Sequence, residues 1–568
     1  LAEIREIARK HALKNASEFG RASVNAVVGK VIAEAPEAKG NMAEAAKLVA
    51  EAVEEVNALS KEAVAMELGK HEFKPKEEKE EGPSIKLQYA EKGKVVTRMA
   101  VGPNGYAHIG HAKAAWLDCE AARIYEGKFL LRFDDTNPEV EKAEYVQAWL
   151  GDLAWLGIVF DKELYASDRM RAYYSYAKRL VSQGDAYMCT CSKETIAKGR
   201  SKGAECACRG KSVQENLELW HRALVRDFRE GDAVLRLKGD MKSLNTTLRD
   251  PTLARIVEAP HYRQGDRYAV WPTYDFEVVI ADAVDDVTHV LRSKEYELRD
   301  EQYLLIAEKL GLRKPHIYDF SRINFKGMLL GKRYLRPLVE QKKVMGWDDP
   351  RMPTLIGLRR RGILPEAIKK FVMSFGLSKV ESEPSIGALL TENRKLLDPI
   401  APRYFFVPSP FKVVVRNATG KVARIPFHPE KDLGFREIKT SNEFFIPAQD
   451  AKALDKGVVF RLIDLYNVKV VKKTKESLEC EFAGEELKAD TKKLQWLPNT
   501  QGAFAECEVL VPGELFVNEK FNSKSLGVEK GLVEAAARDL EEGAMVQFLR
   551  YGFARLDSNR EMRFVKSC

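Results

Sequence analysis

Apolar and polar positions alternate along this chain in several distinct ways, and each regime predicts a different kind of element. In residues 1–72, Leu48, Val49, Ala52, Val53, Val56 and Leu59 recur every three or four positions, with Glu51, Glu54 and Glu55 on the opposite side. That is the signature of an amphipathic helix, and Gly20, Gly29 and Gly40 are expected to divide the region into several short helices. Residues 73–93 contain KPKEEKEEGP, a charged stretch without apolar anchors, and read as a linker. From residue 94 strands and helices alternate. The run VVTRMA (95–100) stops at Gly102-Pro103-Asn104-Gly105 and is followed by a helix-prone segment from Ala112. KFLLRF (128–133) has the continuous apolar character of a buried strand. In the following Asp134-Asp135-Thr136-Asn137-Pro138, Thr136 or Asn137 is expected to cap a helix with Pro138 in its first turn. WPTYDFEVVI (271–280) and VTHVLR (287–292) read as later strands. Two strand–helix units this close predict a doubly wound parallel sheet, with halves at 94–185 and 266–325 separated by a less regular insertion at 186–265. Residues 326–398 read as helical. In residues 399–568, short β-type runs such as Phe405–Val407, Phe411–Val415, Val458–Phe460, Val468–Val471 and Ala544–Phe548 predict one or two β-barrels. The expected fold is a multidomain α/β protein flanked by an N-terminal helical domain and a C-terminal β region.

Composition narrows the class. The 568 residues suffice for about three to five domains. With 45% hydrophobic and 31% charged residues the chain is of globular type, and no apolar run approaches the ~20 residues of a membrane span. The charged N-terminal segment carries no signal-peptide pattern. A net charge of +8 admits a polyanionic partner without requiring one. Four of the eight cysteines fall within residues 189–208 and the rest are scattered, which is no secreted disulfide framework; the expectation is a cytoplasmic protein.

The densest chemistry lies in residues 97–113, TRMAVGPNGYAHIGHAK. A strand, a glycine-rich turn and a helix start bring unpaired N–H groups and a partial positive charge to one point, a natural phosphate site. Gly110 lets a base or phosphate approach the backbone. His108 and His111, three residues apart, share a helical face from which imidazoles can donate to phosphate oxygens in a transition state. Elsewhere, Cys189-Thr190-Cys191 and Cys206-Ala207-Cys208 offer four thiolates suited to tetrahedral Zn²⁺. Free cysteines are the alternative. Asp282, Asp285 and Asp286 read as a solvated turn.

AHIGH closely resembles the first signature of class I aminoacyl-tRNA synthetases, and GPNGYAHIGHAK resembles their glutamyl/glutaminyl branch. MLLGKR (328–333) resembles the second signature, with Lys332 in the lysine position and Gly331 where a serine is usual. LIDLYNV (462–468) and LQWLP (494–498) resemble the anticodon-binding β-barrels of the archaeal and eukaryotic members. The resemblance implies a Rossmann-like catalytic domain with an acceptor-end-binding insertion, a helical subdomain and C-terminal anticodon-binding barrels. It implies catalysis by His108, His111 and Lys332. It places ATP, carrying its Mg²⁺, at Gly102, Pro103, Asn104, His108, Gly110, His111, Lys332 and Arg333. It places the amino acid at Arg98, Ala100, Asp134, Tyr274 and Arg292, with Asp134 holding the α-ammonium. Arg98 and Arg292 together would form a dicationic pocket that selects glutamate over glutamine. Arg359, Arg360 and Arg361 would contact the tRNA backbone; the alternatives are a solvated helix end for these and, for Arg292, a structural salt bridge to Glu295 or Glu297. A structural zinc site occurs in the insertion of related enzymes, and N-terminal regions like this one touch tRNA or protein partners. The expected activity is ATP-dependent attachment of glutamate to tRNA(Glu) through glutamyl-adenylate. The alternatives are an enzyme that also charges tRNA(Gln), a glutaminyl enzyme, and a non-catalytic tRNA-binding relative.

Overall fold

The computed structural model describes residues 2–19, 21–35, 42–68, 70, 85–487 and 490–568, and divides into two compact units, Leu1–Glu81 and Gly82–Cys568. The first unit consists of helices α1 (Ala2–Phe19), α2 (Val24–Glu34), α3 (Met42–Asn57) and α4 (Lys61–Leu68). The predicted stripe forms its core: Val49, Ala52, Val53 and Val56 of α3 meet Ala8, Ala12, Leu13, Val27 and Val31. Gly29 lies inside α2 rather than between helices, where a single glycine costs only about 1 kcal/mol. Gly40 and the charged run KPKEEKEEGP lie outside the described residues. Within the segment read as linker, Ile85 and Leu87 are buried against Val95, Leu117 and Phe320, so residues 85–93 pack as part of the second unit.

The second unit opens with β1 (Val96–Val101), α5 (Ile109–Ile124), β2 (Lys128–Phe133), α6 (Ala143–Trp155), β3 (Lys162–Tyr165) and α7 (Met170–Ser182). There follow β4 (Ala186–Cys189), α8 (Lys193–Lys202), α9 (Val213–Leu224), β5 (Val234–Leu237), β6 (Thr252–Ile256) and β7 (Val270–Pro272), which form a four-stranded antiparallel sheet with two helices. The chain then returns through α10 (Tyr274–Val284), β8 (His289–Ser293), α11 (Asp300–Lys309) and β9 (His316–Phe320). β1, β2 and β3 pair in parallel, as do β8 and β9. Thr288, just before β8, receives a hydrogen bond from the Val96 amide at 2.8 Å and donates its own amide to the Val96 carbonyl at 2.9 Å. This sets the two groups edge to edge in the order β3-β2-β1-β8-β9. Connections run outward on both sides of the β1/β8 junction, so the carboxyl ends of those strands flank a crevice, the usual ligand position in a doubly wound sheet.

Two helix predictions differ from the structure. The segment Tyr274–Val284 is α10, not a strand. Its apolar and β-branched residues Phe276, Val278, Val279 and Ile280 are buried on all sides, which erases the periodicity that separates a buried helix from a buried strand. After Asp134, the chain turns without helix until Lys142 begins α6, so neither Thr136 nor Asn137 is a cap. The inserted sheet shares a large core with its neighbours. Trp220, Leu235, Leu253 and Trp271 share one apolar cluster with Tyr173 of α7, Phe276 of α10 and Ile306 of α11.

Beyond β9 come α12 (Lys332–Glu340), α13 (Leu355–Arg360), α14 (Pro365–Met373) and α15 (Ile386–Leu397), then a C-terminal β region of two seven-stranded sheets. One is contributed by residues 403–408 and 504–566; the other, lying between those segments in sequence, by residues 410–498. Each sheet encloses its own core, around Phe444, Phe460 and Trp496 in one and Phe406, Val533 and Phe548 in the other. From the first, a small hairpin of Phe516–Val517 and Lys520–Phe521 reaches back, and Leu515 and Phe516 pack on Leu335 and Leu338 of α12.

Candidate active site

A cavity of about 1360 Å³ opens at the carboxyl ends of β1, β2, β8 and β9. Every predicted amino-acid and nucleotide residue except Pro103 lines it: Arg98 and Ala100 from β1, Gly102 and Asn104 from the turn, His108, Gly110 and His111 from the start of α5, Asp134 after β2, Tyr274 of α10, Arg292 of β8, and Lys332 and Arg333 of α12. Pro103 faces away; its carbonyl accepts from the Lys142 amide at 3.0 Å.

His108 caps α5. Its Nδ1 accepts from the Gly110 amide at 3.1 Å, and His111 Nδ1 accepts from the His108 amide at 3.1 Å. The rings stack with centroids 3.6 Å apart. A β-carbon on Gly110 would stand 3.0 Å from His108 Cε1, so glycine is what lets the ring fold over the helix start. Burial, helped by the Lys332 and Arg322 charges, pushes His108 down to about 3, and burial with the neighbouring ring lowers His111 well below the ordinary value. Both imidazoles are therefore neutral at physiological pH. With each Nδ1 engaged as acceptor, each carries its proton on Nε2, as a donor.

Lys332 reaches across from the first turn of α12 to donate to Asn104 Oδ1. Burial, with Arg336 on the same helix adding its charge, brings Lys332 down to about 8. Gly331 is the N-cap of α12 with φ −68°, a conformation open to any residue, and the cap makes no side-chain hydrogen bond. The glycine that replaces the usual serine is thus not required by the backbone.

Beneath the cavity lies a buried charge network. Arg132 of β2 is fully buried and donates to Asp134 Oδ1 and to Asp282 Oδ1, both at 2.7 Å, and to Asp285 Oδ2 at 3.2 Å. Asp282 also accepts from Arg98 Nε at 3.0 Å and from the Tyr303 hydroxyl at 3.1 Å. Burial would raise the Asp282 carboxyl, but the Arg98 and Arg132 guanidiniums outweigh it and hold the group below the usual range. Asp282 and Asp285 are therefore no solvated turn; of the three acids, only Asp286 is exposed. Arg292 pairs with Asp300 and lies 3.9 Å from Asp319, not with Glu295 or Glu297. Both pocket arginines are thus partly neutralised by the protein's own acids, and the pocket is less cationic than two bare guanidiniums. Arg98, Arg292 and Asp134 each keep a buried polar atom, Nη2, Nε and Oδ2 respectively, without a hydrogen-bond partner among the described residues.

Three further side chains belong to this site and carry no distinctive sequence signal. Arg322, just after β9, lines the cavity and pairs with Glu295. Glu141 lines it from the turn after β2, where burial pushes its carboxyl up to about 9 and the Asp135 and Asp134 charges act in the same direction, so it is neutral. Arg132 is hidden as one charge within an apolar strand. The tip of the C-terminal hairpin, Asn518 and Glu519, also borders the cavity.

The arginine cluster on α13 does not join the site and is not a free basic face. Arg360 forms a two-pronged pair with Asp557 at 2.8 Å for both contacts, and Arg361 is buried with its Nε 3.3 Å from the Ser567 carbonyl. Both hold the helix to the C-terminal sheet, which leaves Arg359 as the exposed member.

The four cysteines converge at the edge of the inserted sheet. Their Sγ atoms all lie within 4.8 Å of one another, with Cys189–Cys206 at 3.8 Å and Cys191–Cys208 at 3.9 Å. Tetrahedral Zn–S bonds of about 2.3 Å require S–S separations near 3.8 Å, so the set fits zinc. Arg236 Nη1 stands 3.9 Å from Cys189 Sγ and 3.7 Å from Cys206 Sγ, a donor that would offset the charge of a four-thiolate centre.

A doubly wound sheet with a histidine-capped glycine turn facing a lysine from a separate helix is the arrangement of a nucleotide-activating enzyme. The chain belongs to the class I tRNA synthetases of the E and Q group. The family's catalytic domain matches residues 94–398, and its two anticodon-binding domains match residues 401–483 and 493–557. The glutamate–tRNA ligase of Nitrosopumilus maritimus is 42% identical over 99% of this chain and 99% of its own. That of Korarchaeum cryptofilum is 41% identical over the whole of both, and that of Pyrococcus furiosus is 39% identical over 98% of this chain and 97% of its own. A solved glutamate tRNA ligase from Elizabethkingia meningosepticum aligns over 54% of this chain and 70% of its own, at 19% identity and a TM-score of 0.39, and adds nothing to the assignment. Among the described residues, no helix is long and apolar enough to cross a membrane.

Proposed function

We propose that this chain activates glutamate with ATP and transfers it to tRNA. The observation that carries the reading is that one cavity is lined by two guanidinium side chains, Arg98 and Arg292, and one carboxylate, Asp134, each with a polar atom that has no hydrogen-bond partner among the described residues. An amino acid with a side-chain carboxylate complements all three, its ammonium on Asp134 and its side chain between the arginines. Each charged hydrogen bond contributes about 1.5–3 kcal/mol, and a glutamine amide turning its NH₂ toward either arginine forfeits one.

In the first step the glutamate α-carboxylate attacks the α-phosphorus of ATP and expels pyrophosphate. The protein's contribution is positioning and charge stabilisation. The Nε2–H groups of His108 and His111 donate to phosphate oxygens as charge builds on them, and the Lys332 ammonium, with Arg322 and Arg333, takes the charge of the departing pyrophosphate. Mg²⁺ accompanies ATP as part of the substrate. In the second step the terminal ribose hydroxyl of tRNA attacks the glutamyl carbonyl and AMP leaves. The inserted sheet supports the acceptor end and the C-terminal sheets the anticodon. Zinc bound by Cys189, Cys191, Cys206 and Cys208 would brace the edge of the inserted sheet. The test is tRNA-dependent ATP–pyrophosphate exchange with glutamate or glutamine as the amino acid. Glutamate-dependent exchange is expected; exchange with glutamine alone would refute the pocket assignment.

A further inference from the structure

Asp135, next to the ammonium-binding Asp134, faces away from the cavity and is fully buried. Its carboxylate is held from two directions. Ser167, following β3, donates its amide to Oδ1 and its hydroxyl to Oδ2, both at 2.8 Å. Tyr262 donates its hydroxyl to Oδ2 at 2.9 Å, and His261 Nε2 lies 3.0 Å from the Asp135 carbonyl. His261 Nδ1 accepts from the amides of Arg263 and Gln264 at 3.1 Å, so its proton sits on Nε2 and the Asp135 carbonyl receives it. Both residues belong to the loop between β6 and β7 by which the inserted sheet returns to the catalytic sheet. Arg263 fastens the same loop, its guanidinium 3.6 Å from the Tyr165 ring centroid and 2.7 Å from Asp168.

The Asp134 side chain, by contrast, makes one hydrogen bond, from Arg132, and keeps one oxygen without a partner among the described residues, while its amide donates to the Val101 carbonyl at 2.8 Å. Its position is set on one side by that bond to β1 and on the other by the peptide it shares with Asp135. The strands joined by this loop also supply the opposite wall of the cavity, through Arg255 of β6 and Pro272 of β7. We propose that Tyr262 and Asp135 are positioning residues, through which docking of the insertion's return loop fixes Asp134 and so sets affinity for the amino acid. This deepens, and rests on, the glutamate reading above.

The test is steady-state tRNA-dependent ATP–pyrophosphate exchange by the full chain carrying Tyr262→Phe, which removes one hydroxyl and keeps the ring. Depriving a buried carboxylate of one donor predicts a rise in KM for glutamate of roughly 5- to 30-fold. KM for ATP and kcat at saturating glutamate are expected within twofold of the parent, a split that general loosening would not produce. Ser167→Ala, cutting the same carboxylate from the other side, should give the same split. An unchanged glutamate KM in both variants, or glutamate and ATP KM rising together, overturns the proposal. Absence of glutamate-dependent exchange in the unaltered protein overturns the glutamate reading, and the proposal with it.

Discussion

Gly105 offers the sharpest separation of rate from stability. It sits in the turn after β1 without a positive φ, its carbonyl accepts from the Trp149 indole at 3.1 Å, and an added side chain would meet the lysine from α12 first. A β-carbon built there lies 2.8 Å from Lys332 Cε, 3.1 Å from Cδ and 3.2 Å from Nζ. Carbon pairs settle at about 3.5–4.0 Å, so Gly105→Ala requires the end of Lys332 to retreat by about 1 Å. The nearest obstacle is the end of a flexible side chain, not backbone. Stability should change by no more than about 0.5 kcal/mol. The rate should not be spared, because a displacement of about 1 Å in a positioning group costs about 100-fold, or ~2.7 kcal/mol in the barrier. The assay is kcat for tRNA-dependent ATP–pyrophosphate exchange, alongside thermal unfolding. An unchanged Tm with a rate 30- to 100-fold down fits the geometry. A rate within threefold of the parent, or a variant that does not fold, refutes it.

Arg292→Cys removes a donor from the pocket and takes from Asp300 its cationic partner, whereas Asp319 keeps Lys379 at 3.3 Å. Glutamate activation should fall by about 100-fold or more while glutamine loses far less, measured as kcat/KM for each. Lys332 must be protonated to hold phosphate, so with its pKa near 8 the free enzyme's kcat/KM for ATP should decline as pH rises through about 8. Because Arg336 is one cause of that lowering, Arg336→Gln should carry the decline to higher pH, read from the pH–rate profile. No shift would remove Arg336 from the account. His108 titrates near 3, far below that limb, so the same profile should show no acid limb from it between pH 6 and 8. Freshly purified protein should contain about one zinc per chain by metal analysis. Chelation should loosen the edge around the cysteines without unfolding the inserted sheet, because that sheet shares the large core of α7, α10 and α11. Protein without zinc would sink the metal assignment.

What sequence conveys here follows the range of the interactions involved. β2 was legible because KFLLRF is buried along its length, and the phosphate turn because its chemistry sits within one stretch of chain around His108 and Gly110. Asp282 and Asp285 read as solvent-facing because their burial depends on Arg98 and Arg132, more than 100 residues away. Arg360 and Arg361 carry no mark of the C-terminal partners, Asp557 and Ser567, that hold them. Arg292 is singled out by sequence and lines the cavity, yet its partners, Asp300 and Asp319, emerge only once α11 and β9 fold against β8. α10 was missed because burial on every side leaves no polar face to reveal its period.

The most direct test of the central claim is an aminoacylation matrix crossing labelled glutamate or glutamine with unmodified tRNA(Glu) or tRNA(Gln). The site as described predicts glutamate on tRNA(Glu), and no glutamine on either tRNA. Glutamate on both would mark an enzyme that serves two tRNAs from the same amino-acid pocket. Transfer of glutamine, or of neither amino acid, would contradict the roles given to Arg98, Asp134 and Arg292.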